Sequence, residues 1–257
     1  MRKHFIIILT LACTMMWAQN PWNGKRVAVI GDSISDSTHV GTTRCWWEYL
    51  SDSLGLNTTC YAKNGATVEN MQGQVTKMLT EEEHWDLILI FGGTNDYNGN
   101  VPMGNIFTQQ REKTNKDGHE MALTHRAFNM DNSTFSGRIN NLLSTLKEKC
   151  PETRILVLTP IHRGFAQFGS GNVQPDELWS NTENLFLEDY IDCLQQASRA
   201  WAVPCLDLST ECGLLPMYRS NDAYVHRVDT DRLHPNAKGH ERMAKVVLGY
   251  LRGVLPY

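Results

Sequence analysis

Along the chain, short unbroken apolar runs alternate with longer stretches in which apolar residues recur every three or four positions. The runs at 26–30, 57–62, 86–91, 154–158 and 203–208 predict strands. Those at 26–30 and 86–91 end in glycine and lack polar alternation, the pattern of a strand covered on both faces. Between the runs, helical spacing predicts helices over 43–54, 68–79, 135–149, 182–201 and 235–251. The first of these carries Trp46, Trp47, Leu50 and Leu54 on one face, which reads as core, and stops at Gly55. Strands alternating with helices imply a parallel sheet covered on both sides, a three-layer α/β/α sandwich.

Two segments interrupt this rhythm. Residues 97–134 and 161–181 are polar, rich in Gly and Asn, and longer than ordinary connections in such a fold. Both follow the carboxyl end of a strand, where open parallel sheets bind ligands. No internal repeat, low-complexity tract or linker divides the rest, so residues 19–257 are expected to form one domain with two insertions.

The first 18 residues stand apart. A basic head, Arg2-Lys3-His4, precedes an apolar stretch and then Trp17-Ala18-Gln19. This predicts a secretory signal peptide cut after Ala18, because the apolar part is too short to stay as a membrane span. The rival is lipoprotein processing at Cys13, ranked second because Thr10 occupies the position three before the cysteine. No later segment looks transmembrane. A net charge of −4 without a Lys/Arg cluster excludes nucleic acid and anionic membranes as expected partners. Cys45, Cys60, Cys150, Cys193, Cys205 and Cys212 permit disulfides in an exported protein, yet a domain this large needs none, and the pairing stays open.

Four short segments at strand ends, or just before the last helix, supply the parts of an acyl-transfer site: Gly31-Asp32-Ser33, Asn64-Gly65-Ala66, Gly93-Thr94-Asn95-Asp96 and Asp231-Arg232-Leu233-His234. A serine hydroxyl needs a base, His234 can be that base, and Asp231 can fix its tautomer. The backbone N–H groups of Ser33 and Gly65 and the amide of Asn95 can face a developing oxyanion. Singly, each has a plainer reading: Ser33 as a helix N-cap, Gly65 and Asn95-Asp96 as turn residues, His234-Pro235 as the opening of the last helix. A metal-dependent phosphoesterase would need clustered carboxylates and imidazoles, and the strand before Gly31 holds no Asp-x-His. No metal or organic cofactor is expected. His162, after the fourth strand, reads equally as a substrate contact or a loop histidine, and His226 and Arg227 as rim residues.

From about Lys25 onward the chain resembles the SGNH hydrolase superfamily, the GDSL esterases. The motifs occur in the family's order: GDS, an isolated glycine, GTND, and DTDRLHPNAKGH before the last helix. One departure is GDSIS in place of GDSL. The resemblance implies a flavodoxin-like parallel five-stranded sheet of order 2-1-3-4-5, Ser33 as nucleophile, His234 as general base and Asp231 as its orienting acid. Ser33, Gly65 and Asn95 would form the oxyanion hole. It also implies a carboxylic-ester hydrolase. The amides and aromatics of the insertions, Tyr97 and Phe168 among them, suit a sugar better than a fatty chain, so a secreted carbohydrate acetylesterase is expected, with Tyr97 and His162 as substrate contacts. The alternatives are a lipase, thioesterase or aryl esterase of the same superfamily, or an inactive glycan-binding module on this fold.

Overall fold

The computed structural model describes residues 20–38, 41–81 and 84–256. The expected signal peptide and Cys13 lie outside the described residues. In chain order the elements are β1 (Arg26–Gly31), α1 (Trp46–Leu54), β2 (Asn57–Cys60), α2 (Val68–Glu81), β3 (Leu87–Phe91), α3 (Thr94–Asn98), β4 (Phe107–Lys116) and β5 (His119–Phe128). They continue with α4 (Phe135–Lys149), β6 (Arg154–Leu158), β7 (Ala166–Gly169), β8 (Asn172–Gln174), α5 (Leu187–Ala200), β9 (Cys205–Leu206), α6 (Leu208–Glu211), β10 (Val225–Arg227), β11 (Asp231–Pro235) and α7 (Ala237–Arg252).

Five strands form the central sheet in the order β2-β1-β3-β6-β9, all pairs parallel. Counting only these strands, this is the expected 2-1-3-4-5 order of a flavodoxin-like sheet. Successive side chains point to opposite faces, which is why the strand sequences are apolar throughout. Ala28, Ile30, Ile88, Ile90, Ile155 and Val157 join the core under α2, α4 and α5. Val27, Val29, Leu87, Leu89, Leu156 and Leu158 join the opposite core under α1 and α7.

Both insertions fold into hairpins rather than irregular loops. The first contains β4 and β5, paired antiparallel over their full lengths around Asp117-Gly118, both at positive φ (56° and 82°). That is the chemistry of a two-residue hairpin turn. The second contains β7 and β8, which extend a separate four-stranded sheet of order β10-β11-β7-β8. Two further boundaries move. The last helix begins at Ala237 behind an Asn236 cap whose side chain accepts from the N–H groups of Lys238 and Gly239, and Pro235 ends β11 instead. The strand expected over 203–208 shrinks to β9, because Asp207 turns the chain into α6 by accepting from the N–H groups of Ser209 and Thr210.

Three polar anchors fix the strand ends. Gln74 grips the end of β1, its Oε1 accepting from Gly31 N and its Nε2 donating to Gly31 O, both at 2.9 Å. Asp96, fully buried, accepts from Val68 N at 2.9 Å and Arg138 Nη1 at 3.0 Å, tying α3 to the starts of α2 and α4. Burial pushes its carboxyl up to about 6, against the pull of these partners. Asp32 is also fully buried; its Oδ1 accepts from Ile34 N at 3.0 Å, but Oδ2 has no partner. Burial, and the nearby Asp96 charge, push the Asp32 carboxyl up to about 7.

Folding therefore makes Asp32 take up a proton across the window from 3.8, its ordinary value, to about 7. Its contribution to stability is complete below that window and is lost as pH rises through it. Asp32→Asn keeps the shape and removes the titration. Urea unfolding from pH 5 to 8 should therefore show the variant losing less stability than the parent, by up to about 1 kcal/mol per pH unit. Equal slopes would mean that Asp32 is charged in the folded protein.

Candidate active site

Ser33 lies directly after β1 in a tight turn closed by Ser35 N and Asp36 N, both donating to Asp32 O at 3.0 Å. No helix starts here, so the hydroxyl is not a helix cap. The turn is braced from α1: Trp46 Nε1 donates to Ser35 Oγ at 3.0 Å and Trp47 Nε1 to Ser35 O at 2.9 Å. The two tryptophans that read from sequence as core residues thus also hold the serine turn in place.

His234 lies on β11, 201 residues from Ser33 in sequence, with Nε2 at 2.9 Å from Ser33 Oγ. Its Nδ1 faces Asp231, at 2.9 Å from Oδ2 and 3.1 Å from Oδ1, and its backbone N–H donates to Oδ1 at 3.0 Å. Ser33, His234 and Asp231 are all buried. Burial raises the Asp231 pKa, but the hydrogen bond and charge of His234, together with His226 and the His234 N–H, bring it down to about 2. An ionised Asp231 requires the proton on His234 Nδ1. Nε2 is then the acceptor, and the Ser33 hydroxyl donates to it. This is the arrangement that can draw a proton from a serine as it attacks a carbonyl.

His226, on β10, adds a contact that its sequence position does not announce: its Nδ1 sits 2.9 Å from Asp231 Oδ2. The link comes from the hairpin joining β10 to β11, whose register sets Arg227 opposite Asp231. The only sequence signal is a histidine five residues before the acid, and no chain-local pattern marks such a pair as touching.

Beside Ser33 opens a cleft of about 250 Å³. The loop after β2 contributes Asn64 and Gly65, α3 contributes Asn95, hairpin β7–β8 contributes Phe168, Asn172 and Gln174, and β11 contributes Leu233 with His234. Gly65 has φ +73°, and a β-carbon there would meet nothing within 4 Å, so glycine is demanded by backbone conformation rather than by crowding. Asn95 Nδ2 donates to Ala66 O at 3.1 Å, which ties the amide of α3 to the loop after β2. Among the described residues, no group of three or more His, Cys, Asp or Glu side chains is placed to share a metal ion, and no helix is long and apolar enough to cross a membrane.

The structure thus brings Ser33, Gly65, Asn95, Asp231 and His234 together, and two expected substrate contacts fall elsewhere. Tyr97 is buried with its hydroxyl donating to Trp179 O at 2.6 Å and its ring edge-on to Tyr190, so it anchors the second insertion to α5 and does not line the cleft. His162 pairs through Nδ1 with the buried Glu177, a bond that raises its pKa, and it too lies off the cleft. Phe168, Asn172 and Gln174 line the cleft instead.

A comparison with curated proteins finds no match. Among solved structures, a protein from Lactobacillus plantarum is similar over 90% of this chain and 98% of its own, at 24% identity and a TM-score of 0.70. A protein from Chitinophaga pinensis described as a possible lipase is similar over 89% of this chain and 98% of its own, at 19% identity and a TM-score of 0.67. An acetyl xylan esterase is similar over 88% and 98%, at 14% identity and a TM-score of 0.53. At these identities the likeness is one of fold. The model of the GDSL-like lipase/acylhydrolase family matches residues 29–242, a span that takes in both Ser33 and the Asp231–His234 pair, and the chain belongs to that family.

Proposed function

We propose that this protein is a serine esterase that removes short acyl groups, acetyl above all, from carbohydrate esters. The observation that carries the reading is the unbroken hydrogen-bonded line from Asp231 through His234 to Ser33 at the mouth of a cleft. Ser33 Oγ attacks the ester carbonyl while His234 Nε2 takes its proton, and His234 then hands that proton to the departing alcohol. Water, activated by the same imidazole, cleaves the acyl-enzyme. The N–H groups of Ser33 and Gly65 and the free N–H of the Asn95 amide stabilise the oxyanion. His226 holds the Asp231 carboxylate in place.

The substrate half rests on the walls. Four side-chain amides, Asn64, Asn95, Asn172 and Gln174, face a small cleft that offers only Phe168 and Leu233 as large apolar surface. A long acyl chain would find little to bury against, whereas amides match hydroxyl groups. The likeness to an acetyl xylan esterase points the same way. The reading includes export, on the basic and apolar pattern of residues 1–18.

Ser33→Ala should lower turnover of p-nitrophenyl acetate by ~10³-fold or more, with folding intact by circular dichroism. Activity equal to the parent would remove Ser33 from the mechanism. In the same assay Asn95→Ala should cost about a hundredfold in kcat with little change in KM. A series of p-nitrophenyl esters should show rates falling from acetate to butyrate and longer chains; a maximum at long chains would favour a lipase. His226→Ala, which removes one charge-assisted hydrogen bond, should lower kcat/KM about tenfold. His226→Asn, which keeps a donor, should recover part of that loss.

A further inference from the structure

Phe168 keeps 45% of its surface exposed although its ring lies against His234, 5.5 Å between centroids at 59°. Behind it a polar chain runs from the cleft into the protein. Gln174 Nε2 donates to Asn172 Oδ1 at 3.0 Å, and Arg163 Nη2 donates to Gln174 Oε1 at 2.8 Å. Arg163 is 2% exposed, and its backbone N–H is fixed by Glu177 Oε2 at 2.7 Å.

A guanidinium has donors only, so Gln174 must turn its oxygen to Arg163 and its amino group to Asn172. Asn172 must then turn its oxygen to Gln174, which leaves its own amino group for the cleft. Arg163 Nε and Nη1 meet no partner, so the residue is buried at a cost in stability. Its guanidinium also lies over the Tyr97 ring, 5.6 Å from the centroid, and its bond to Gln174 orients these amides.

We propose that hairpin β7–β8 is the subsite for the alcohol half of the ester, and that this alcohol is a sugar ring. The inference rests on the reading of Ser33 as nucleophile and His234 as its base. The oxyanion faces Gly65 and Asn95, and the departing oxygen must lie against His234 Nε2 to receive its proton. Phe168 packs on that same imidazole, so the group it meets is the alcohol and not the acyl chain. Its ring offers a flat apolar face to the C–H face of a pyranose, and the Asn172 amino group offers a donor to a hydroxyl or ring oxygen.

The same subsite must admit an alcohol in the reverse sense. When a sugar hydroxyl replaces water, its oxygen attacks the acetyl carbon of the acyl-enzyme and its proton passes to His234 Nε2. As the acyl–Oγ bond breaks, that proton goes to Ser33 Oγ, releasing the acetylated sugar and free enzyme. The experiment uses p-nitrophenyl acetate as donor, with methyl β-xylopyranoside or methanol as acceptor, and measures the ratio of acetylated acceptor to free acetate. Because both products come from one acyl-enzyme, the ratio does not depend on how much of a variant is folded.

The parent should favour the xyloside over methanol at equal concentration. Asn172→Ala and Phe168→Ala should each lower the xyloside ratio about tenfold, and the methanol ratio by less than about twofold. Unchanged xyloside ratios in both variants, or an equal fall for methanol, would overturn the subsite. Absence of any acetyl-enzyme on Ser33 in the parent would instead overturn the serine-esterase reading and the subsite with it.

Discussion

A carboxylate withdrawn from water stays charged only if donors surround it, and Asp231 is 4% exposed. It meets His234 Nδ1, the His234 backbone N–H and His226 Nδ1, all within 3.1 Å. These partners keep it ionised, and its negative charge decides which nitrogen of the imidazole beside it carries the proton. It places the proton of His234 on Nδ1, frees Nε2 as an acceptor, and thereby sets the direction of the hydrogen bond from Ser33. Tautomer, ring orientation and the direction of the Ser33 hydrogen bond all descend from how one acid is solvated by protein instead of water. The three-residue spacing from Asp231 to His234 matters because it lets a single carboxylate bind both the ring and the backbone of the same histidine.

Bringing that imidazole to Ser33 is the task of the sheet. In a parallel sheet every strand delivers its carboxyl end to one edge, so the loops after β1, β2 and β3 meet there. The first two carry Ser33 and Gly65, and the third leads into α3, which carries Asn95. β11 belongs to another sheet and must be held against this edge separately. It is continuous with α7, which packs beside α1 in the outer core and accepts from Trp46 N through His240 Nδ1 at 3.2 Å. Trp46 in turn bonds Ser35, two residues from Ser33. The contact of 2.9 Å between hydroxyl and imidazole is therefore enforced from both ends by one helix pair.

How much of the molecule is legible in the chain depends on how local each signal is. β3 and β6 are visible because every residue in them, apart from Arg154 at the start of β6, enters one of two cores, which leaves an apolar run with polar flanks. β4 and β5 are invisible for the opposite reason: nearly all their residues are exposed, so neither face carries a period of two, and only Asp117-Gly118 marks the turn. Ser33, Gly65, Asn95, Asp231 and His234 can be named because the roles proposed for them depend on residue type at a strand end or within one short segment. Tyr97 departs from its expected role because position after a strand does not say which way a side chain turns; its ring packs on Tyr190 in the core. Asn172, Gln174 and His226 reach the site through the register of short hairpins, which only the paired backbone reveals.

The hairpin that walls the cleft is bound to the strand that carries the acid and the base. Gly164 N donates to Arg232 O, Arg232 N to Phe165 O, and Gln167 N to Thr230 O, so backbone bonds straddle Asp231 on both sides. Each such bond contributes about 1 kcal/mol, and swinging β7–β8 away as a lid would break all of them while stripping Gln174 from Arg163. It would also pull on the residue that sets the His234 tautomer. The wall is consequently part of a preformed site: on the proposed reading an alcohol would have to fit the gap as built between Phe168 and the asparagines, because opening the hairpin would disturb the hydrogen-bonded Asp231–His234–Ser33 line it borders.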